Sequence, residues 1–164
     1  MRRLAALLAV GVTALGGVAA VAMPMPSRRT DGPAGVHLTT LSHATFDSSV
    51  HANGAGVDFR TEGPTQALVT SITIDPGGTF GWHSHPGPVL VTVAKGTLAE
   101  FHADRHRCPR TTVTAGEAFV ESGGVVHLAR NAGSTPVELN ATFLARPGAT
   151  EFLIPEQRPA VCHV

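Results

Sequence analysis

The stretch Pro76-Gly77-Gly78-Thr79-Phe80-Gly81-Trp82-His83-Ser84-His85-Pro86-Gly87-Pro88-Val89-Leu90-Val91-Thr92-Val93-Ala94-Lys95-Gly96 decides how the rest of the chain reads. His83 and His85 stand two apart, and side chains in a strand repeat with period two, so both imidazoles leave the same face. Two neutral ring nitrogens can then meet one metal ion. A firm site needs a third donor, and the segment Gly116 to Asn131 offers His127 just after the pair Gly123-Gly124. A lone H-x-H is by default a surface feature at a strand end, so the flanking residues carry the argument.

Those flanks resemble the two motifs of the cupin superfamily. Gly77, His83, His85 and Gly96 fall at the spacing of its first motif, and Gly116, Gly124, His127 and Asn131 at the spacing of its second. Two departures stand out. The carboxylate that the first motif places between its histidines and its last glycine is here Val89, so the resemblance implies a metal set reduced to three histidines. The proline of the second motif is here Ser122. The resemblance covers residues 66–144 and implies an all-β fold, a single jelly-roll β-barrel with irregular extensions at either end.

The strand pattern agrees on its own terms. Short runs rich in Val, Ile and Thr at 67–74, 89–94, 98–102, 118–120, 126–129 and 137–144 alternate with Gly and Pro, and no window carries a helical period. Asp75-Pro76-Gly77-Gly78 predicts a tight turn, since proline fixes one φ and glycine permits a positive one. Val57 to Arg60 reads as an edge strand. If Lys95-Gly96 were a two-residue hairpin loop, Val89 would face His102 and share a side with Glu100. His102 thereby becomes a candidate fourth ligand or proton carrier, with an exposed histidine as the alternative. Glu117, Glu121 and Arg130 read as solvated strand residues without chemistry, and His37, His43 and His51 as exposed polar residues.

Toward the start, Arg2-Arg3 followed by the apolar run Leu4 to Ala22 reads as a secretory signal peptide over 1–22, with an uncleaved anchor as the alternative. Residues 23–35, rich in Pro and Arg, read as a disordered tether, and 36–164 as the barrel domain. Cleavage after Ala22 would leave 142 residues with ten basic and twelve acidic side chains, a net charge of −2 with histidine neutral. Lys95 is the sole lysine, so no basic field for nucleic acid is present and no nucleic-acid partner is expected. With the leader removed no stable membrane insertion is expected, and a homodimer is left open. An exported chain with two cysteines, Cys108 and Cys162, points to a disulfide between them; a free thiol at each is the competing reading.

Three imidazoles leave a divalent ion with its full charge and an open position, which suits Fe, Zn, Mn, Ni or Cu as cofactor. The resemblance implies small-molecule enzymes built on such sites, and also binding proteins that do no chemistry. The leading expectation is a secreted or periplasmic metalloenzyme of dioxygenase type, with a small molecule as substrate or ligand. The rivals are a non-catalytic binding protein for metal or a small ligand, and a structural barrel with a vestigial site.

Overall fold

A computed structural model of the chain describes residues 32–164. The expected leader 1–22 and the greater part of the tether 23–35 lie outside the described residues. Among those described there are eleven strands and no helix: β1 (Ala34–Phe46), β2 (Val50–Gly54), β3 (Val57–Thr61), β4 (Thr65–Ser84), β5 (Val89–Lys95), β6 (Thr97–His102), β7 (Arg110–Thr114), β8 (Ala118–Glu121), β9 (His127–Arg130), β10 (Val137–Ala145) and β11 (Ile154–Pro155). Nine of them form one sheet in the order β7-β6-β9-β4-β10-β5-β8, with β1 and β11 also paired to β4. The all-β barrel read from the sequence is the fold found.

Strand β4 is the spine. Its first half pairs with β1 and β10, its second half with β9 and β11, so one strand passes from one wall of the barrel to the other. The crossing lies at Pro76–Gly78, where a tight turn was expected. The chain does not reverse there: it is a kink within a continuous strand, marked by a register shift against β1. Gly77 takes φ 76°, and Asn131, one residue past the end of β9, holds the kink through Gly77 N–H to Asn131 O and Asn131 N–H to Gly78 O. Pro and Gly supply the unusual φ values in a bulge as readily as in a turn. A Cβ at Gly78 would lie 2.6 Å from the Gly35 carbonyl oxygen, so this close approach of β1 requires glycine.

The expected hairpin at Lys95-Gly96 is also corrected. Strands β5 and β6 do not pair: β5 lies between β10 and β8, and β6 between β9 and β7. The backbone groups at the corner bond instead to the turn after β7, through Ala115 N–H to Gly96 O and Gly116 N–H to Val93 O. Two residues thus form an arch between the walls, and Val89 stands opposite Glu121 and Phe143 rather than His102.

Between the walls lies the core, led by Ile72, Ile74, Val89, Leu98, Val137 and Phe143, all under 5% exposed. Each such side chain contributes about 1.5–3 kcal/mol by leaving water. Strand β1, by contrast, gives the core almost nothing. Its side chains are exposed along nearly its whole length, and it joins the barrel through backbone pairing with β4. Strands β2 and β3 form a separate hairpin whose two loop residues, Ala55 and Gly56, both have positive φ, the turn that matches strand twist. The edge strand expected at Val57 is its second arm.

Candidate metal centre

His83 is the penultimate residue of β4, His85 lies one residue beyond its end, and His127 opens β9. His83 and His127 are directly opposed in the β4–β9 pair, which brings the two sequence motifs together. Ring centroids are 4.3 Å apart for His83 and His127, 4.8 Å for His83 and His85, and 5.0 Å for His85 and His127. One ring nitrogen from each lies within 4.8 Å of the others, and the three residues are 0–4% exposed. The three histidines named from spacing are the three the fold assembles.

Their orientation is fixed from behind. Nδ1 of His83 donates to the Gly81 carbonyl at 3.0 Å, Nδ1 of His127 to the Val125 carbonyl at 2.9 Å, and Nδ1 of His85 to the Phe152 carbonyl at 2.6 Å. A carbonyl only accepts, so each Nδ1 carries hydrogen and each neutral ring turns an Nε2 lone pair toward the cluster. The first two carbonyls come from two residues upstream. The third comes from the C-terminal tail, which β11 seats against Ser84 and His83. The Cys108–Cys162 disulfide, with S–S 2.05 Å, ties that tail to the barrel, and Cys162 is fully buried beside Trp82, Phe101 and Leu128.

Two carboxylates to which sequence reasoning gave no chemistry are buried beside the three rings. Glu121, the last residue of β8, is 8% exposed. Its Oε2 lies 3.0 Å from His85 Nε2 and its Oε1 lies 2.9 Å from His127 Nε2. Neither contact is a hydrogen bond: with each ring's hydrogen on Nδ1, an Nε2 lone pair faces a carboxylate that only accepts, and both nitrogens are buried without a hydrogen-bond partner. Glu100 on β6 is 3% exposed; one oxygen accepts from His102 Nε2 at 3.3 Å, and Oε1 is buried without a partner. Of the three residues read as solvated, Glu117 is exposed and accepts from Thr114, Arg130 lies 4.9 Å from the Phe101 ring, and Glu121 is wrongly placed by that reading. The available signal was weak: period two puts Glu121 on the face of half-buried Phe119.

His102 neighbours the cluster without entering it. It is opposite His127 in the β6–β9 pair and stacks on it at 5.6 Å, but its side chain is 36% exposed and its Nε2 turns to Glu100. Val89 is 1% exposed and lines the same cavity as His83, His85, Glu100 and Glu121. That cavity holds about 30 Å³, walled otherwise by apolar groups such as Ile72, Phe80 and Phe143. It is room for an ion's water ligand and little more, since one water needs roughly 10–15 Å³ on this measure.

The electrostatics follow from burial against pairing. Burial, then the charge of His127, pushes His83 down to about 4. Burial pushes Glu121 up most strongly, yet His127 and His85 together outweigh it and hold the carboxyl well below its ordinary range. For His127 burial again acts first, downward, and Glu121 overcomes it, leaving the ring above its usual value. Burial raises Glu100 against the pull of His102. Three lone pairs and a carboxylate in one buried space are balanced best by a cation held among them.

A family model described as a cupin domain matches residues 70–143, from within β4 to within β10, and so includes all three histidines. The chain is 30% identical over 126 residues to germin-like protein 1-1 of Oryza sativa subsp. japonica, covering 76% of this chain and 52% of that protein. It is 28% identical over 126 residues to auxin-binding protein ABP19a of Prunus persica, covering 65% of this chain and 60% of that protein. The chain therefore spans between half and two thirds of the length of these relatives. A solved structure of an uncharacterized conserved protein with a double-stranded β-helix domain from Klebsiella pneumoniae superposes with TM-score 0.50 at 19% identity, covering 79% of this chain and 89% of that one. With its two motifs folded against each other in a β-barrel and a buried three-histidine group able to hold a metal ion, the chain belongs to the cupin superfamily.

Proposed function

We propose that this cupin is an extracytoplasmic metalloenzyme of dioxygenase type that acts on a small molecule, with His83, His85 and His127 holding a divalent transition ion. The observation that carries the metal reading is the shared orientation of the rings. All three Nδ1 atoms are committed to backbone carbonyls, and three Nε2 atoms are left to face one buried space. Imidazole donors suit Fe, Ni, Cu and Zn, and an oxygen donor beside them admits Mn. A redox-active ion there would supply the one-electron chemistry that activation of oxygen needs. The chain's own residues do the rest. Val89, Ile72 and Phe143 exclude water. Glu100 lines the cavity and burial holds it toward its protonated form; its Oε1 is buried without a partner and its Oε2 is bonded to His102, which is partly exposed to solvent. That pair forms a path for one proton between cavity and surface. The disulfide and the apolar leader read at the start of the chain support an oxidising compartment outside the cytoplasm.

The size of the cavity favours a second reading, a protein that holds a metal or small ligand without catalysis, because about 30 Å³ admits no organic substrate unless Phe152 and Leu153 of the tail move. Metal analysis of untagged protein and of His83→Ala, His85→Ala and His127→Ala tests the common premise. Each variant is expected to lose most of the metal, and full occupancy in any one would remove that histidine from the site. Oxygen uptake by the metal-loaded parent across small acids, diols and enols separates the readings; none with any substrate leaves only the binding role.

A further inference from the structure

We infer that Glu121 is the fourth ligand of the metal centre, delivered by β8 to the place where Val89 on β5 supplies no donor. The inference rests on the three-histidine reading and extends it. Val89 and Glu121 are directly opposed in the β5–β8 pair, and opposed residues share a face with Cβ atoms about 4.5–5.5 Å apart. Both line the cavity that His83 and His85 enter. A carboxylate on either strand therefore reaches the same space, and one seat can stand in for the other.

The contacts of the Glu121 carboxylate are those of a ligand and not of a simple ion pair. Its two oxygens lie 3.0 and 2.9 Å from the Nε2 atoms of His85 and His127, and neither of those nitrogens has a hydrogen-bond partner. In an octahedral shell, two adjacent donors each about 2.1 Å from the ion subtend a right angle and are themselves about 3.0 Å apart. Neighbouring groups that close, each failing to bond the other, are arranged as adjacent corners of a coordination shell. Among the described residues the ion-pair partners of Glu121 are these two histidines alone, so no arginine or lysine accounts for burying the charge. The site is then three imidazoles and one carboxylate, a set that lowers the net charge at a divalent ion by one and suits Mn(II) and Fe(II) better than imidazoles alone.

The test is Mn(II) titration of the full mature chain, untagged, followed by electron paramagnetic resonance, for the parent, Glu121→Gln, the exchange Val89→Glu/Glu121→Val, and Glu117→Gln as an exposed control. Glu121→Gln is expected to weaken Mn(II) binding at least tenfold and to change the spectrum of the bound ion. The exchange should recover affinity to within about threefold of the parent, and Glu117→Gln should equal it. A parent that binds Mn(II) beside a Glu121→Gln variant with equal affinity and an unchanged spectrum overturns the fourth ligand and leaves the three histidines standing. A parent that binds no divalent ion removes both. Infrared difference spectra of ¹³C-glutamate-labelled parent with and without Mn(II) need no variant to fold: a shifted carboxylate stretch is expected, and none overturns the inference.

Discussion

Replacing both cysteines, Cys108→Ala with Cys162→Ala, tests how far the metal centre depends on a distant staple. The bond joins residues 54 apart in sequence and closes a loop of 55. In the chain-entropy treatment a loop of that length stabilises the fold by about 4 kcal/mol at 25 °C. For the 133 described residues, unfolding entropy of about 2.1 cal/mol/K per residue comes to about 0.28 kcal/mol/K. The double variant should therefore melt about 14 °C lower than the metal-free parent. Guanidinium unfolding followed by far-ultraviolet circular dichroism should show the same loss together with a larger m-value, because the uncrosslinked chain expands further. A second effect reaches the site. The tail held by Cys162 carries Phe152, whose carbonyl accepts from Nδ1 of His85. Once that tail frays, His85 loses its orienting partner, and metal affinity should fall about 10–100-fold. A stability loss below about 1 kcal/mol would refute the entropic argument. Unchanged metal affinity in a variant that has lost the full 4 kcal/mol would refute the mechanical link between tail and ligand.

The metal-free protein should lose stability as pH falls from 6.5 to about 4, by up to about 3 kcal/mol, because His83 protonates in the unfolded chain first and is held neutral by burial in the fold. His127 has the opposite sign, its contribution complete below 6.5 and lost as pH rises through its elevated value. Denaturant midpoints at pH 7, 5.5 and 4 should show the slope, and the same slope in His83→Asn would count against its assignment to His83. Val89→Glu places a third carboxyl beside Glu100 and Glu121 in the enclosed cavity, so without metal it should cost at least about 3 kcal/mol, partly restored by Mn(II). Melting curves with and without the ion decide it, and a variant as stable as the parent would place Val89 elsewhere. Asn131→Ala removes an amide that donates to the Ile74 and Thr135 carbonyls and accepts from Gly133 N–H; it should cost about 2–3 kcal/mol by urea titration, and a loss under about 0.5 kcal/mol would mean water replaces those bonds.

What the sequence revealed and what it hid divide along a physical line. His83, His85 and His127 were legible because strand periodicity and motif spacing bring them to one face; Gly77 takes the positive φ expected of its stretch, and Gly96, Gly116 and Gly124 take one as well. The turn-forming residues were legible as places of unusual backbone, but not as turns or bulges, since Pro76-Gly77-Gly78 and Lys95-Gly96 choose their partners by which wall lies nearby. Strand β1 went unread because exposed side chains carry no alternation of burial. Glu121 looked solvated because a single strand does not show that two imidazoles lie beside it. The Phe152 carbonyl is backbone and leaves no mark on the sequence at all.

Behind His85, the chain at Gly87 passes so close to Gly123 that neither position can accept a side chain, which limits the substitutions open to this protein. A Cβ on Gly123 would come within 2.8 Å of the Gly87 Cα, and one on Gly87 would run into the Leu144 carbonyl oxygen. Neither position has a smaller residue to retreat to, so a change at one finds no compensating change at the other. Next to this joint, Gly124 N–H donates to the His85 carbonyl at 2.8 Å. The two histidine-bearing segments are thus welded at a point where heredity has no spare move. A change of length between them is expected to be tolerated best at residues 104–107, which are exposed, belong to no strand and lie ahead of the disulfide-bonded Cys108.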